Sequence, residues 1–392
     1  MSTAPVDGPL TPAHPTPTSE AISAVTGPST STGPLAGDAV EATGLAADAA
    51  PARKSLSPNQ RAWARFKRNR LGYVSLWLFG VLLVLATAAE LFANDRPLLA
   101  RYQGQWLVPI VHNPPERELG GDFGTPTDWH DPLIREVFQR DGNWTLPTLI
   151  EHSATSLNYF DKQPDPAPPN ASHWLGTDET GRDMLARLIY GFRISVWFGF
   201  ALTFAGVVIG VAAGAVQGYF GGRIDLAFQR FIEIWNSVPE LYLLIIFASI
   251  FKPSLLLLLV LLAMFGWISL SDYVRAEFLR NRGLEFVRAA RALGLSNAQI
   301  IWRHVLPNSM TPVITFLPFR MSGAILALTS LDFLGLGVPA PTPSLGDLLR
   351  QGKENLDAWW ITAPTFVALS LTLLLLTFIG DALRDAFDTR KS

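Results

Sequence analysis

Long runs without a charged residue interrupt this 392-residue sequence, and they restrict its possible folds more than any other feature. Residues 71–89 are uncharged for 19 residues, residues 194–222 for 29 and residues 253–271 for 19. A helix of about 20 residues crosses the hydrocarbon core of a bilayer. With 49% hydrophobic and 16% charged residues, the chain is also more apolar than a soluble protein of its size. It is therefore predicted to be an all-α integral membrane protein.

Three further apolar segments bring the predicted number of transmembrane helices to six. They cover about residues 231–251, 311–337 and 359–380. Pro239 lies inside the first of these segments and is predicted to break or kink it, because proline removes a helical hydrogen bond. The first transmembrane helix is predicted over residues 71–93, and a long polar region separates it from the other five helices.

The distribution of basic residues predicts the orientation of these helices. Residues 53–70 carry seven Lys or Arg residues and no acid, which marks a basic cytoplasmic segment under the positive-inside rule. Six membrane crossings then leave both termini in the cytoplasm. The loop at residues 275–308 is predicted to lie on the same, cytoplasmic side. Its residues up to 303 include six Arg and two Glu. A five-helix core at residues 190–387 would carry this loop.

The polar region at residues 94–189 is predicted to be a small extracytoplasmic insert between the first two transmembrane helices. Residues 94–187 hold 14 acidic and 8 basic residues, the reverse of the preceding basic segment. Turn-forming sequences such as Asn113-Pro114-Pro115 favour a folded insert over a linker. Residues 1–52, by contrast, are mostly Ala, Pro, Thr, Ser and Gly, and they are predicted to be a disordered tail.

Several kinds of chemistry have no sequence signature in this chain. Its single Gly-Lys pair, Gly352-Lys353, is followed by Glu354, so no Gly-x-x-x-x-Gly-Lys-Ser/Thr loop exists to hold a nucleotide phosphate. The six His residues show no metal-ligand spacing, and there is no Cys and no Gly-x-Ser-x-Gly motif. No catalytic residue, cofactor, metal ion or nucleic-acid partner is predicted. If this chain serves an ATP-driven process, the ATPase is another polypeptide.

The loop at residues 275–308 has the local signals of two short helices. Residues 284–293 are rich in the helix formers Ala, Leu and Arg. Gly294 follows where a helix end favours a left-handed residue. Ser296 with Gln299 three residues later forms a capping box, which predicts the start of a second helix. Pro307 is predicted to end that helix.

The spacing within this loop resembles the cytoplasmic coupling loop of ABC-importer permeases. In that family, Ala-Ala, three residues, Gly, nine residues and a hydrophobic-x-Leu-Pro sequence recur. Arg288 replaces the usual Glu and His304 the usual aliphatic residue, but Ala-Ala-Arg-Ala and His-Val-Leu-Pro-Asn are similar to the peptide-permease branch. The resemblance implies that the loop binds an ATPase through Glu285, Arg288, Ala289, Ala290, Arg291, Gly294, His304, Leu306 and Pro307.

Two other stretches strengthen this resemblance. Residues 173–193 contain Leu-Gly-Thr-Asp, Gly-Arg-Asp and Leu-Ile-Tyr-Gly in the order found in dipeptide and oligopeptide permeases, and residues 334–346 resemble their outer loop. The acidic insert and residues 329–335 resemble the permease subunit of microcin C type peptide importers. The family implies a type I permease fold, a second homologous permease, two cytoplasmic ATPase subunits or domains, an extracytoplasmic substrate-binding protein and surrounding membrane lipid.

Three ionisable residues in or near the apolar segments are candidates for a translocation path: Glu240, Arg320 and Asp332. Charges inside a bilayer are costly, so they are expected to face protein or water. Arg320 lies about 18 Å along a helix from Asn308, near the midplane. Asp332 is expected near the outer mouth of the fifth helix, where the alternative is a structural Asp that accepts backbone hydrogen bonds.

Other functions remain open at this stage. A permease for nickel chelates or other small solutes shares the same motifs. A self-contained proton-coupled carrier that uses Glu240 or Asp332 is a further alternative, although the inverted repeats typical of such carriers are not seen. A membrane-embedded enzyme is a weaker alternative, because the chain lacks a catalytic set.

Overall fold

The computed structural model describes residues 57–140, 142–157 and 164–388, so the predicted tail at residues 1–52 lies outside the described residues. The helices are α1 (Pro58–Arg68), α2 (Arg70–Thr87), α3 (Ala89–Phe92), α4 (Pro132–Gln139), α5 (Met184–Phe220), α6 (Gly222–Asn236), α7 (Glu240–Ile250), α8 (Leu255–Gly266), α9 (Ile268–Asn281), α10 (Glu285–Ala292), α11 (Asn297–Ile300), α12 (Leu306–Phe333), α13 (Leu345–Glu354) and α14 (Trp359–Phe387). A π-helical turn at Ile301–Val305 connects α11 to α12.

Within the part of the chain that the structure describes, five helical segments are long and apolar enough to cross a membrane: α2, α5, α8 with α9, α11 through α12, and α14. A sixth crossing results if α6 and α7 count as one span, which is bent by 63° between them. The bend falls at Pro239, the residue that precedes α7, as the sequence predicted. The number and order of helices therefore agree with the six-helix prediction.

Two predicted boundaries need correction. Pro307 does not end a helix, because Asn297–Phe333 runs as one 37-residue segment. Pro307 lies in the first turn of α12, directly after the π-helical turn, where a missing backbone N–H is tolerated. The second transmembrane helix begins at Met184, inside the predicted insert of residues 94–189, because the Asp183 side chain accepts a hydrogen bond from the Ala186 N–H and caps the helix there.

Helices α5 and α9 approach each other closely along a row of glycines. A Cβ atom added at any of these glycines would lie within 3.0 Å of an atom of α9 or of Trp267 just before it; they are Gly210, Gly214 and Gly218. Small residues of this spacing allow two backbones to pack directly in a membrane. A buried hydrogen bond from Gln217 Nε2 to Ser271 Oγ (2.8 Å) adds to the contact. The two helices are thus predicted to move together.

The insert contains a small domain with its own core. Its sheet has three antiparallel strands in the order β2-β1-β3, where β1 is Leu99–Tyr102, β2 is Gln105–Leu107 and β3 is Trp144–Leu146. Ala100 of β1 pairs with residues of both neighbouring strands. The residues buried beneath the sheet are Ala100, Leu119, Trp129, Ile134 and Phe138. The all-α description therefore applies to the membrane part, and the insert is folded as expected.

Candidate functional site

The coupling segment, defined here as residues 284–307, packs one face against the helix bundle. Val287 and Ala290 of α10 are buried, and so are Ile300 and Val305 further along the segment. All four belong to one apolar cluster that also contains Phe278 of α9. Burial of these side chains fixes the position of the segment relative to the transmembrane helices.

The turn between α10 and α11 has the geometry that its sequence predicts. Gly294 has φ +78°, in the left-handed region that residues with a Cβ rarely adopt. The capping box is formed, because the Ser296 Oγ accepts from the Gln299 N–H at 3.3 Å and the Gln299 Oε1 accepts from the Ser296 N–H at 3.0 Å. The local helix–turn–helix prediction is confirmed.

Tyr219, near the C-terminal end of α5, anchors the coupling segment. Its hydroxyl donates to Asn297 Oδ1 at 2.8 Å, and the Arg291 guanidinium lies 5.5 Å from the centre of its ring. Arg282 also donates from Nη1 to the Tyr219 carbonyl oxygen at 3.3 Å. These contacts attach the segment to the glycine-packed pair α5 and α9 through both its helices.

The other face of the coupling segment is open to a partner. Of the predicted ATPase-binding residues, Ala290 is buried, His304 and Leu306 are half-buried, and the exposed ones are Glu285, Arg288, Ala289, Arg291, Gly294 and Pro307. Exposed apolar side chains that the motif did not single out lie beside them: Leu284, Phe286, Leu293 and Trp302. A mixed apolar and basic surface of this kind is typical of a protein contact.

Two of the three candidate path residues line one cavity. Glu240 at the start of α7 and Arg320 in α12 both border a space of about 650 Å³ among the transmembrane helices. Arg320 donates from Nη1 to Ser269 Oγ at 3.1 Å and from Nη2 to the Gly266 carbonyl oxygen. These contacts hold the guanidinium at the junction between α8 and α9.

Asp332 is in a different environment from the other two candidates. Its side chain is buried at the C-terminal end of α12, and it is not among the residues that line the cavity. The carboxylate accepts hydrogen bonds from the Val338 N–H at 2.8 Å and from the Ser344 hydroxyl. These contacts are those of the structural alternative, in which Asp332 fixes the loop between α12 and α13.

The dipeptide-permease-like stretch at residues 173–193 forms a buried ionic junction. The Arg187 side chain is buried, with Nε 3.2 Å from Asp178 Oδ2 and Nη2 3.4 Å from Asp347 Oδ2. Its Nη1 also donates to the Ala154 carbonyl oxygen at 3.2 Å. One guanidinium therefore joins the insert, α5 and α13, which accounts for Asp178 and Arg187 in this stretch.

A column of three stacked imidazoles lies beside this junction, and sequence spacing did not predict it. The ring centres of His130 and His152 are 5.0 Å apart and those of His152 and His173 are 4.3 Å apart. His173 Nδ1 lies 2.9 Å from Asp183 Oδ2. Burial, followed by the charges of His173 and His130, lowers the pKa of His152 to about 4. The three histidines come from separate segments of the chain, so no local sequence pattern predicts that they stack.

The column does not have the form of a metal centre. One possible ligand atom from each of His152, His173 and Asp183 lies within 4.8 Å of the others. The imidazole rings of the two histidines are, however, stacked with 22° between their planes. Nitrogen lone pairs lie in the ring plane, so stacked rings do not direct them at one ion. We interpret the column as packing that responds to protonation.

Comparison with known proteins identifies the class of membrane protein to which this helix bundle belongs. Residues 206–392 match the family described as the binding-protein-dependent transport system inner membrane component, and residues 57–115 match the N-terminal TM domain of oligopeptide transport permease C. Together with the helix bundle, these matches define the class as a multi-pass inner-membrane component of a binding-protein-dependent transport system.

Relatives of known name narrow this class. The inner membrane ABC transporter permease protein YejE of Escherichia coli (strain K12) is 50% identical over 86% of this chain and 99% of its own length. The peptidoglycan transport system permease protein YejE of Agrobacterium fabrum is 47% identical over 87% of this chain and 96% of its own. The oligopeptide transport system permease protein OppC of Haemophilus influenzae is 38% identical over 65% of this chain and 80% of its own. The chain belongs to the dipeptide/oligopeptide family of ABC-importer permeases.

Membership of this permease family bears on the alternative functions considered for the chain and on the partners it requires. It does not favour the nickel-chelate permease or the proton-coupled carrier. It implies ATPase and substrate-binding partners and a second permease. Among solved structures, one of the MetNI methionine ABC transporter aligns with a TM-score of 0.44 and 20% identity over 52% of this chain and 98% of that chain. That score is too low to add to the argument, which rests on the sequence relatives.

Proposed function

We propose that this chain is one of two homologous permease subunits in an ATP-driven importer of peptides. Two cytoplasmic ATPase subunits or domains bind the coupling segment, an extracytoplasmic protein delivers the peptide, and both termini lie in the cytoplasm. Support comes from the coupling motif, from the basic segment before α2, and from relatives that are named for oligopeptide and dipeptide transport.

One structural observation carries the mechanism. Asn297–Phe333 is a single helical segment that begins in the coupling segment and contains Arg320, which lines the cavity. Pro312 and Pro318 lie inside this segment, but the segment remains continuous, so a displacement at its cytoplasmic end would be passed along it to the cavity. ATP-driven closure of the ATPases would therefore move the cavity wall, as alternating access requires.

Site-specific crosslinking tests the proposed ATPase contact, and the absence of cysteine from the chain makes the test simple. Leu293 in the coupling segment is 81% exposed, and Leu356 between α13 and α14 is 83% exposed. Leu293→Cys and Leu356→Cys, each labelled with a photoactivatable maleimide, form a matched pair. We expect Leu293→Cys to crosslink to an ATPase subunit, identified by mass spectrometry, and Leu356→Cys to give none. Equal crosslinking from both positions would contradict the assignment.

A second candidate cargo follows from the name of one relative. The permease from Agrobacterium fabrum is named for peptidoglycan transport and is 47% identical to this chain. Fragments of peptidoglycan are therefore a competing cargo for the same path. Uptake of a labelled tripeptide in the presence of a purified peptidoglycan digest separates the two: strong competition favours wall fragments, and unaffected uptake favours simple peptides.

A further inference from the structure

Polar side chains from five helices, α5, α6, α7, α9 and α12, line the cavity between the transmembrane helices. Its volume is about 650 Å³, and it is an open groove between the helices rather than an enclosed pocket. Its polar and charged lining residues are Thr203, Asn236, Glu240, Ser269, Asp272 and Arg320. The rest of the lining is apolar, so these few groups would determine how a ligand is oriented.

A sharp break in one transmembrane segment and a single irregular residue in another meet at this cavity. Helices α6 and α7 are bent by 63° across Ser237–Pro239, whereas α8 and α9 form one span that is interrupted only at Trp267. Broken helices leave backbone groups without partners, and inside a membrane they are tolerated only next to protein or a water-filled space. Arg320 donates to the Gly266 carbonyl oxygen beside the interruption at Trp267. Broken helices around a central site are a common way for transport proteins to bind cargo.

The charged groups in the cavity are not used to neutralise one another. Both hydrogen-bond partners of Arg320 are neutral, the Gly266 carbonyl and the Ser269 hydroxyl. Across the described ranges, no ion pair within 4.0 Å joins Arg320 or Glu240 to an opposite charge. An ionisable side chain that remains unpaired within membrane-spanning helices is costly and is typical of a ligand path.

Resting on the peptide-import function proposed above, we propose that this cavity binds a peptide by both of its charged ends. Arg320 binds the terminal carboxylate, because a guanidinium presents a planar set of donors that matches a carboxylate. Glu240 binds the terminal ammonium group, because opposite charges attract strongly where water is partly excluded. Asp272, which also lines the cavity, provides a second carboxylate near the same path. The cavity thus selects zwitterions with free ends.

Uptake by the complete importer in proteoliposomes tests this site. The probes are trialanine, its C-terminal amide and its N-acetyl form, and each rate is divided by the wild-type rate for the same peptide. The substrate-binding protein is the same in every sample, so changes in these ratios arise in the permease. Arg320→Gln keeps an N–H donor for the Gly266 carbonyl but removes the charge. Glu240→Gln removes the charge at the other end.

Each substitution is expected to affect only peptides that carry the matching free end. Arg320→Gln lowers uptake of trialanine about tenfold, equivalent to one lost charged contact, and leaves the C-terminal amide unchanged. Glu240→Gln lowers uptake of trialanine and leaves the N-acetyl peptide unchanged. Arg320→Lys keeps the charge but lacks the planar set of donors, so it restores part of the uptake lost in Arg320→Gln. Glu233→Gln is the control, because Glu233 is exposed and pairs with Arg230 on its own helix.

The possible results separate this inference from the function on which it rests. Equal loss for all three peptides, or no loss for any, would overturn the two-ended site and leave peptide import standing. Failure of Arg320→Lys to restore uptake would also overturn it, since a structural Arg is then the better explanation. A wild-type importer that takes up none of the three peptides would overturn the proposed function, and this site with it.

Discussion

The Asn281 side chain donates a hydrogen bond from Nδ2 to Ser309 Oγ at 2.8 Å, and both residues are buried. Asn281 is the last residue of α9 and Ser309 lies in the first turns of α12. Ser309 in turn donates to the Val305 carbonyl oxygen at 2.9 Å. This relay connects the helix that leads into the coupling segment with the helix that leads out of it, so both are expected to move as one body.

Removing the relay should weaken coupling without loss of insertion. Asn281→Ala is expected to lower the free energy of unfolding by about 0.6 kcal/mol and at most about 1.7 kcal/mol, the mean and the maximum for hydrogen bonds between membrane helices, and to reduce peptide uptake per ATP hydrolysed. Asn355→Ala is the matched control, because Asn355 follows α13, outside the coupling segment, and its Nδ2 donates to the Gln351 carbonyl oxygen within the same turn at 2.9 Å. Thermal unfolding in nanodiscs and uptake per ATP measure the two effects; equal behaviour of the two variants would contradict the relay.

Asp332 is expected to act on stability and not on peptide selection. Asp332→Ala removes the acceptor of two hydrogen bonds and should cost about 1–3 kcal/mol, because the Val338 N–H is left without its partner. The melting temperature should fall, and uptake of free-amine and N-acetylated peptides should fall equally. Asp357→Ala, at an exposed site before α14, should change neither. Selective loss of free-amine peptides would instead place Asp332 on the translocation path.

The imidazole column makes the stability of the protein depend on pH. The pKa of His152 is lowered to about 4, whereas in the unfolded chain it returns to its ordinary value of 6.5. Below pH 6.5 the unfolded chain therefore binds more protons than the folded one. The contribution of neutral His152 to stability is complete above pH 6.5 and is lost progressively as the pH falls from 6.5 to 4. Asp183 opposes this effect, and Arg135 adds to it.

Hydrogen exchange of the insert between pH 7.5 and pH 5 measures this dependence. Protection of the backbone amides around His152 should decrease at the lower pH. His152→Phe keeps an aromatic ring in the column but cannot be protonated, so it should reduce the difference between the two pH values. His112→Gln is the control, since His112 is exposed. A pH dependence that is unchanged in His152→Phe would show that other groups cause it.

Local rules in the sequence predicted those features that depend on neighbouring residues. Uncharged length predicted the transmembrane helices, and the Ser296 capping box and Gly294 predicted the helix–turn–helix of the coupling segment. The same local rules gave a wrong prediction at Pro307. A proline can end a helix, but it is equally suited to the first turn of a helix that follows a π-helical turn.

Features built from distant residues could not be predicted in this way. Arg187 contacts Asp178 nearby and Asp347 far along the chain, and only the folded structure shows that one guanidinium serves both. The column of His130, His152 and His173 likewise unites three segments with no shared motif. From its position in the sequence, Asp332 was a candidate for the translocation path at the outer mouth of the fifth helix. Its hydrogen bonds to the following loop instead place it outside the cavity.

The most direct test of the coupling segment is the uptake of peptide per ATP hydrolysed by the reconstituted importer with Gly294→Val. Gly294 has φ +78°, no atom of this chain would clash with an added Cβ, and a left-handed β-branched residue costs roughly 1–2 kcal/mol, so within this chain the strain is in the backbone. Gly294→Asn is the matched control, because Asn tolerates this conformation. We expect normal insertion and continued ATP hydrolysis, with uptake per ATP strongly reduced in Gly294→Val and nearly normal in Gly294→Asn. Normal uptake per ATP in Gly294→Val would contradict the proposed role of the coupling segment.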